Sequence, residues 1–363
     1  MAATQQQDRA LKPVIALAMG DPAGISPELT AKILADTEAR SAATYMVVGD
    51  RRVLAEGEKT ARVALDIPAW HLGDNQLDLS KGAVFVDLRH LDPGDIERGQ
   101  ATRAGGRFAL TNFRTALRLA ASGAADAVTF TPFNKFAMRQ ALPTYDDEIA
   151  VITEETGGTL HGREFNILGD LWNARITSHV PLRAVADLLT TDKIVEGIEL
   201  TARCMVEAGY SNPRIAVAGI NPHAGDNGNF GREEIEIIEP AVAEAKARGI
   251  HAEGPFPSDT VFLRAQRGDF DAVQTMYHDQ GQIAMKMMGF DRGITLIGGY
   301  SFPVCTPAHG TAYDIAGRGE ANIGATRNAM LIAARMAKAG SMSASDRAAA
   351  LSRVVASLDL TPA

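Results

Sequence analysis

An α/β fold built on a largely parallel sheet is predicted by short apolar runs that recur along the chain and by the amphipathic segments that follow them. Turn residues close each run, which places loops at the carboxyl ends of the strands. Residues 13–19 (PVIALAM) form the first predicted strand, closed by Gly20-Asp21-Pro22. Residues 27–39 (PELTAKILADTEA) follow with helical spacing and Pro27 at the start. The alternation returns in 43–50 (ATYMVVGD) before 51–59, in 126–132 (DAVTFTP) before 134–142, and in 174–182 (ARITSHVPL) before a helix over 184–209. It returns again in 214–225 (RIAVAGINPHAG) before 233–249. Strands alternating with helices imply a sheet covered on both faces. Residues 322–340 read as a further helix, and 337–359 as a loop and a last helix.

At 363 residues, two domains or one large α/β unit is expected. No linker separates domains, so the chain is expected to cross between them more than once. Hydrophobic residues make up 46% and charged residues 22%, and no apolar run approaches the roughly 20 residues that span a bilayer. A membrane protein is therefore not expected. A net charge of −8 argues against nucleic-acid binding, which needs a basic face, and leaves a small molecule as the expected partner. Cys204 and Cys305 suit neither a disulfide framework nor a zinc cluster. The first dozen residues, MAATQQQDRALK, lack the features of a secretory signal, and cytoplasmic residence is expected.

Three histidines stand at or just beyond predicted strands: His179 in ITSHVPL, His223 in AGINPHAGDNG and His278 in TMYHDQG. A single histidine beside a strand is more often a hydrogen-bonded structural residue than a ligand. Three in equivalent topological places make a metal site an equal alternative, suited to Zn, Co, Ni, Fe or Mn with positions left for a substrate hydroxyl. The segment 309–322 (HGTAYDIAGRGEAN) is glycine-rich but fails the GxGxxG spacing of a dinucleotide fingerprint. Its plain reading is a connection into the following helix. Gly20 and Gly24 surround a turn that opens a helix, which suits either an anion or a simple tight turn. Lys135 and Lys286 could hold an anionic substrate, although lone lysines are usually solvated.

Together, GDPAGISPEL, SHVPL, GINPHAGDNGNFGREE, YHDQGQIAMKMMGF and HGTAYDIAGRGEAN resemble the 4-hydroxythreonine-4-phosphate dehydrogenase family, in order and over nearly the whole chain. The resemblance implies an isocitrate/isopropylmalate dehydrogenase-like fold, with two α/β domains and the active site in the cleft between them. Residues 1–130 with 290–363 would bind cofactor, and 131–289 would bind metal and substrate and form the dimer. A homodimer with shared sites is implied. So are a divalent metal (Zn, Mg, Mn, Co or Ni) on His179, His223 and His278, a substrate-binding Lys286 and an acidic Asp259 close to the site. NAD or NADP would lie along His309, Gly310, Thr311, Ala312 and Asn322, near Gly20 and Asp21. The implied reaction is oxidation of a hydroxy acid, followed by decarboxylation where a carboxylate neighbours the new ketone. Lys286, Asp259 or a water between them would relay the proton.

The substrate anchors depart from the family. Asp146 and Asp147 stand where a GHTE-type motif places His and Thr, and two carboxylates would repel a phosphate. Thr295 replaces an asparagine, and Val304 stands where an arginine is expected. These changes favour a polyhydroxy acid or a cis-dihydrodiol of an aromatic carboxylate, as in the family's terephthalate-dihydrodiol branch. A catalytically silent binding protein is opposed by the intact histidines and Lys286, and a hydrolase or isomerase working without nicotinamide is opposed by the 309–322 loop.

Overall fold

The computed structural model describes residues 12–158, 162–289, 291–358 and 360. The first eleven residues, on which the absence of a secretory signal was read, lie outside the described residues. Among the described residues there are twelve strands: β1 Val14–Ala18, β2 Thr44–Gly49, β3 Ala69–Trp70, β4 Ala83–Asp87, β5 Ala127–Phe130, β6 Arg163–Leu168, β7 Leu171–Arg175, β8 Ile215–Ala218, β9 Ala252–Phe256, β10 Ala272–Thr275, β11 Ile294–Gly298 and β12 Val304–Pro307. They form one sheet in the order β3-β4-β2-β1-β5-β12-β11-β6-β7-β10-β8-β9.

The first strand shows why the sheet is covered on both sides. Ile15 and Leu17 enter one apolar core while Val14, Ala16 and Ala18 enter another, so every residue of β1 is buried. Parallel pairing links β3 through β12 on one side and β7 through β9 on the other. Between the two blocks, β12–β11, β11–β6 and β6–β7 pair antiparallel. The chain turns from β6 to β7 through Gly169-Asp170, with Gly169 left-handed at φ 59°, so no crossover helix is needed. The two blocks consequently run in opposite senses. Four strand steps separate β5 from β7, and twist of roughly 20–25° per step turns one block by about a right angle relative to the other. The carboxyl ends of both blocks can then overlook the same face of the central strands.

Local chemistry sets the helix boundaries. The predicted helix over 27–39 divides into Ser26–Ala35 and Thr37–Ala42, because Asp36 is extended and accepts from the Ala39 amide as the second helix's cap. The predicted helix over 184–209 divides likewise into Val185–Leu188 and Thr191–Glu207, with Thr190 capping the longer part. Pro240, which has no N–H to donate, is the second residue of the helix Glu239–Ala247, which follows a π-helical turn at Glu234–Ile238. The helices Gly324–Met336 and Ala344–Ala356 close the chain, the latter capped by Ser343. No described helix is long and apolar enough to cross a membrane.

Candidate active site

The central strands form the floor of a cavity of about 250 Å3. Thr295 and Ile297 of β11, Glu164 of β6 and Thr306 of β12 face it at the two-residue spacing of one sheet face. His179, four residues beyond β7, and His278, three beyond β10, stand in its wall with Asp147. Their imidazole centroids are 5.8 Å apart with planes tilted by 43°. With metal–nitrogen bonds of about 2 Å, two rings at this separation are within reach of one shared ion. His278 Nδ1 lies 2.6 Å from the Asp279 carboxylate, and His179 Nδ1 lies 3.9 Å from Asp147. At His278 the carboxylate at Nδ1 fixes the tautomer that leaves Nε2 free for a ligand, whereas 3.9 Å at His179 is too long for a hydrogen bond.

His223 follows β8, the neighbour of β10, so all three histidines leave adjacent parallel strands. Its ring packs 6.1 Å from that of Phe230 and does not join the cavity formed by the other two. Among the described residues no group of three His, Cys, Asp or Glu side chains is assembled for a metal. The backbone here is unusual: His223, Ala224, Gly225, Asp226 and Asn227 are all left-handed, with φ between 43° and 82°. The buried Glu234 holds this loop by accepting from the amides of Ile220 and Asn221, both at 2.8 Å, and from Asn221 Nδ2 at 2.9 Å.

Lys286 lies in an adjoining cavity of about 120 Å3 that shares Glu164, Thr295 and Ala308 with the histidine cavity. Asp259 stands outside the cavity of Lys286. It lines a separate cavity with Tyr277, Asp279 and Met287, bordered by the exposed apolar side chains of Leu263, Ile283 and Met287. Asp147 spends one carboxylate oxygen capping the helix Glu148–Glu155 while lining the cavity, whereas Asp146 is exposed and stands outside it. Val304 is fully buried in β12. Lys135 lines the histidine cavity and pairs with Glu148 at 3.2 Å.

His309 and Gly310 open the glycine-rich loop directly onto the same cavity. Burial pushes the His309 pKa down, which keeps its imidazole neutral. The rest of the loop is strapped to the first helix. Ile25 N donates to Thr311 O at 3.0 Å, and Glu28 accepts from the amides of Gly319 (3.2 Å) and Ala321 (2.8 Å). Lys32 Nζ donates to the carbonyls of the same two residues, 2.9 Å each, and pairs with Glu28 at 2.6 Å. Asp21 is buried, and its carboxylate accepts from Tyr313. Gly20 N donates to Thr131 Oγ1, and a Cβ at Gly20 would meet carbonyl oxygens of Thr131 and Pro132 within 2.3 Å, so only glycine fits. Ala312 is left-handed at φ 43°, and Asn322 accepts from the Gly324 amide at the next helix.

Glu28, Lys32, Glu234, Glu164 and Arg175 were not singled out from sequence. The available signal was a charged residue inside an otherwise buried element, as in REFNIL and LWNAR. Cys204 and Cys305 are buried free thiols, and burial raises both pKa values, that of Cys204 to about 12.

A protein from Rhizobium meliloti, provisionally named a 4-hydroxythreonine-4-phosphate dehydrogenase, is 62% identical over 90% of this chain and 94% of its own length. One from Symbiobacterium thermophilum, provisionally named a D-threonate 4-phosphate dehydrogenase, is 37% identical over 90% of this chain and 98% of its own. The crystal structure of 4-hydroxythreonine-4-phosphate dehydrogenase from Klebsiella pneumoniae superposes with a TM-score of 0.77 at 35% identity, covering 91% of this chain and 100% of that one. These relatives, matched over nearly their whole lengths, make the chain an oxidoreductase of the dehydrogenase class. It belongs to the family of the pyridoxal phosphate biosynthetic protein PdxA, whose model matches residues 41–333. The alternative of a dihydrodiol dehydrogenase is not favoured: the terephthalate 1,2-cis-dihydrodiol dehydrogenase of Burkholderia xenovorans LB400 is more distant, at 26% identity and a TM-score of 0.63 over 88% of this chain and 98% of that one.

Proposed function

We propose that the chain oxidises a phosphorylated hydroxy acid with NAD or NADP and a divalent metal in the cavity that joins His179 and His278 to Lys286 and His309. The shared wall of Glu164, Thr295 and Ala308 carries this reading, because it joins the histidines, the lysine and the start of the glycine-rich loop. The relatives' names extend it to a 4-phosphorylated four-carbon acid, against the expectation drawn from Asp146, Asp147 and Val304. The exposed position of Asp146 and the capping role of Asp147 weaken that expectation.

The histidine pair fits a borderline metal. His179 and His278 would hold it, with His223 as the third candidate on the neighbouring loop. When bound, the ion supplies Lewis-acid polarisation of the substrate oxygen and the nicotinamide accepts hydride. Lys286 would relay the hydroxyl proton at Nζ. Asp279 orients the His278 imidazole, and Asp147 sets a carboxylate beside His179. Gly310, Thr311, Ala312 and Asn322, with Gly20 and Asp21, shape the cofactor side. Where a carboxylate lies next to the new ketone, loss of carbon dioxide follows.

Residues 1–130 with 290–363 serve the cofactor in this reading, and 131–289 serve metal, substrate and dimerisation. A homodimer is part of the proposal, supported by the exposed Leu263, Ile283 and Met287 around Asp259. Covering that face would give Asp259 its route to a shared site. Nicotinamide pools are intracellular, so cytoplasmic residence goes with this function. The test is turnover of phosphorylated four-carbon hydroxy acids against their unphosphorylated forms, read as reduced nicotinamide. Preference for the phosphorylated set supports the proposal, and preference for the unphosphorylated set overturns its substrate.

A further inference from the structure

The cavity floor holds one buried cation. Arg175, at the end of β7, is 5% exposed and lines the cavity beside His179, His278 and Thr295. Its Nε donates to Ser178 Oγ at 3.0 Å, Nη1 to Asn166 Oδ1 at 2.7 Å and Nη2 to Glu164 Oε2 at 2.5 Å. A guanidinium carries five N–H groups, so three neighbours fix its plane while two donors remain. Lys135, the other cationic side chain described in this wall apart from the histidines, is half-exposed and already paired with Glu148.

A buried ion pair is a poor way to gain stability, because desolvating both charges offsets much of their attraction. Its geometry suits recognition better. A guanidinium held flat by three partners loses little freedom on meeting a carboxylate or phosphate, whose oxygens match its fork. Glu164 competes for the same group. The strength of any anion contact at Arg175 is therefore set by how much of the guanidinium's charge Glu164 already satisfies.

Position supports the assignment. Val304 pairs with Ile297, Ile297 pairs with Glu164, and the β6–β7 hairpin carries this row on toward Arg175. Val304 offers no donor at its end of the row, and Arg175 supplies one at the other.

We propose that Arg175 is the specificity residue for the anionic end of the substrate, carboxylate or phosphate, and that Glu164 tempers its grip. The proposal rests on the dehydrogenase reading of this cavity. It predicts opposite signs for two substitutions. Arg175→Lys keeps the charge but loses the fork and should raise KM about tenfold or more, with a smaller change in kcat. Glu164→Gln keeps an acceptor for Nη2 but removes the competing charge, and should lower KM severalfold.

Steady-state kinetics of both variants, with calorimetric titration of inorganic phosphate and of malonate into the metal-loaded protein, makes the test. Weaker phosphate binding in Arg175→Lys with tighter binding in Glu164→Gln identifies a phosphate end, and the same pattern with malonate identifies a carboxylate. Unchanged binding of both anions in Arg175→Lys overturns the proposal. So does weakened binding in Glu164→Gln, the result expected if the pair merely supports the sheet. Failure of the wild type to turn over any hydroxy acid would count against the dehydrogenase reading instead, while the anion titrations would still decide the role of Arg175.

Discussion

Tyr313 donates its phenolic proton to the Asp21 carboxylate across 2.5 Å, tying the turn after β1 to the glycine-rich loop. Burial raises the Asp21 pKa, opposed by this bond and by the Ala23 amide. Tyr313→Phe removes one opposing contact and leaves the carboxylate less compensated. The expected loss is about 1–3 kcal/mol of stability. A raised acid pKa means that the folded state holds the proton more tightly, so stability is greatest below the unfolded pKa and declines as pH rises through the folded one. The variant should therefore lose more at neutral pH than at pH 4, as denaturant melts at the two pH values would show.

Glu28 and Lys32 clamp the backbone of Gly319 and Ala321 from both sides, two amides to the carboxylate and two carbonyls to the ammonium. Lys32→Met should leave the helix Ser26–Ala35 intact and loosen the loop. Hydrogen exchange at the Gly319 and Ala321 amides should accelerate, and KM for the nicotinamide cofactor should rise more than kcat falls. Unchanged exchange would show that Glu28 holds the loop alone.

Glu234 accepts from the amides of Ile220 and Asn221, which lead into the left-handed run from His223 to Asn227. Left-handed conformation costs roughly 1–2 kcal/mol per non-glycine residue, so the loop needs such a strap. Glu234→Gln should lower divalent-metal affinity by about tenfold or more, as loss of a supporting contact behind a ligand does elsewhere. Calorimetry with Mn or Zn tests this, with His223→Ala as the reference. Metal affinity equal to wild type in Glu234→Gln would separate the strap from the metal site.

His90 stacks on Phe108 with ring centroids 4.8 Å apart, and both ring nitrogens are sealed from water although the residue is only partly buried. Burial pushes its pKa down to about 4, against the pull of Asp50 and Asp87. Below its unfolded pKa near 6.5 the unfolded chain binds a proton that the folded chain refuses, so stability falls as pH drops from about 6.5 to 4, by up to about 3 kcal/mol. His90→Phe keeps the stacking and should flatten that acid limb in thermal melts.

Within the parallel blocks β1, β2, β5 and β8 were legible because buried strands such as PVIALAM are continuous apolar runs ended by turn residues. The antiparallel centre was not. REFNIL and LWNAR carry charged and polar residues on a cavity-facing side, which breaks the apolar signal at the strands that form the cavity floor. His179, His278 and His309 were identifiable from the blocks around them, and the structure brings them to one cavity. Arg175 was hidden, since nothing local distinguishes a guanidinium fixed by Glu164 and Asn166 from a solvated one. Partners distant in sequence also concealed Lys32, whose carbonyl acceptors lie almost three hundred residues away.

Metal and nicotinamide are proposed to act together in the cavity of His179 and His278. The most direct test of this proposal follows reduced nicotinamide by absorbance with a 4-phosphorylated hydroxy acid before chelation, after chelation, and after a divalent metal is restored. The predicted result is turnover that stops on chelation, returns with metal, and does not return in a His179→Ala, His278→Ala double variant that still folds. Turnover indifferent to chelation, or restored by metal in the double variant, would contradict it.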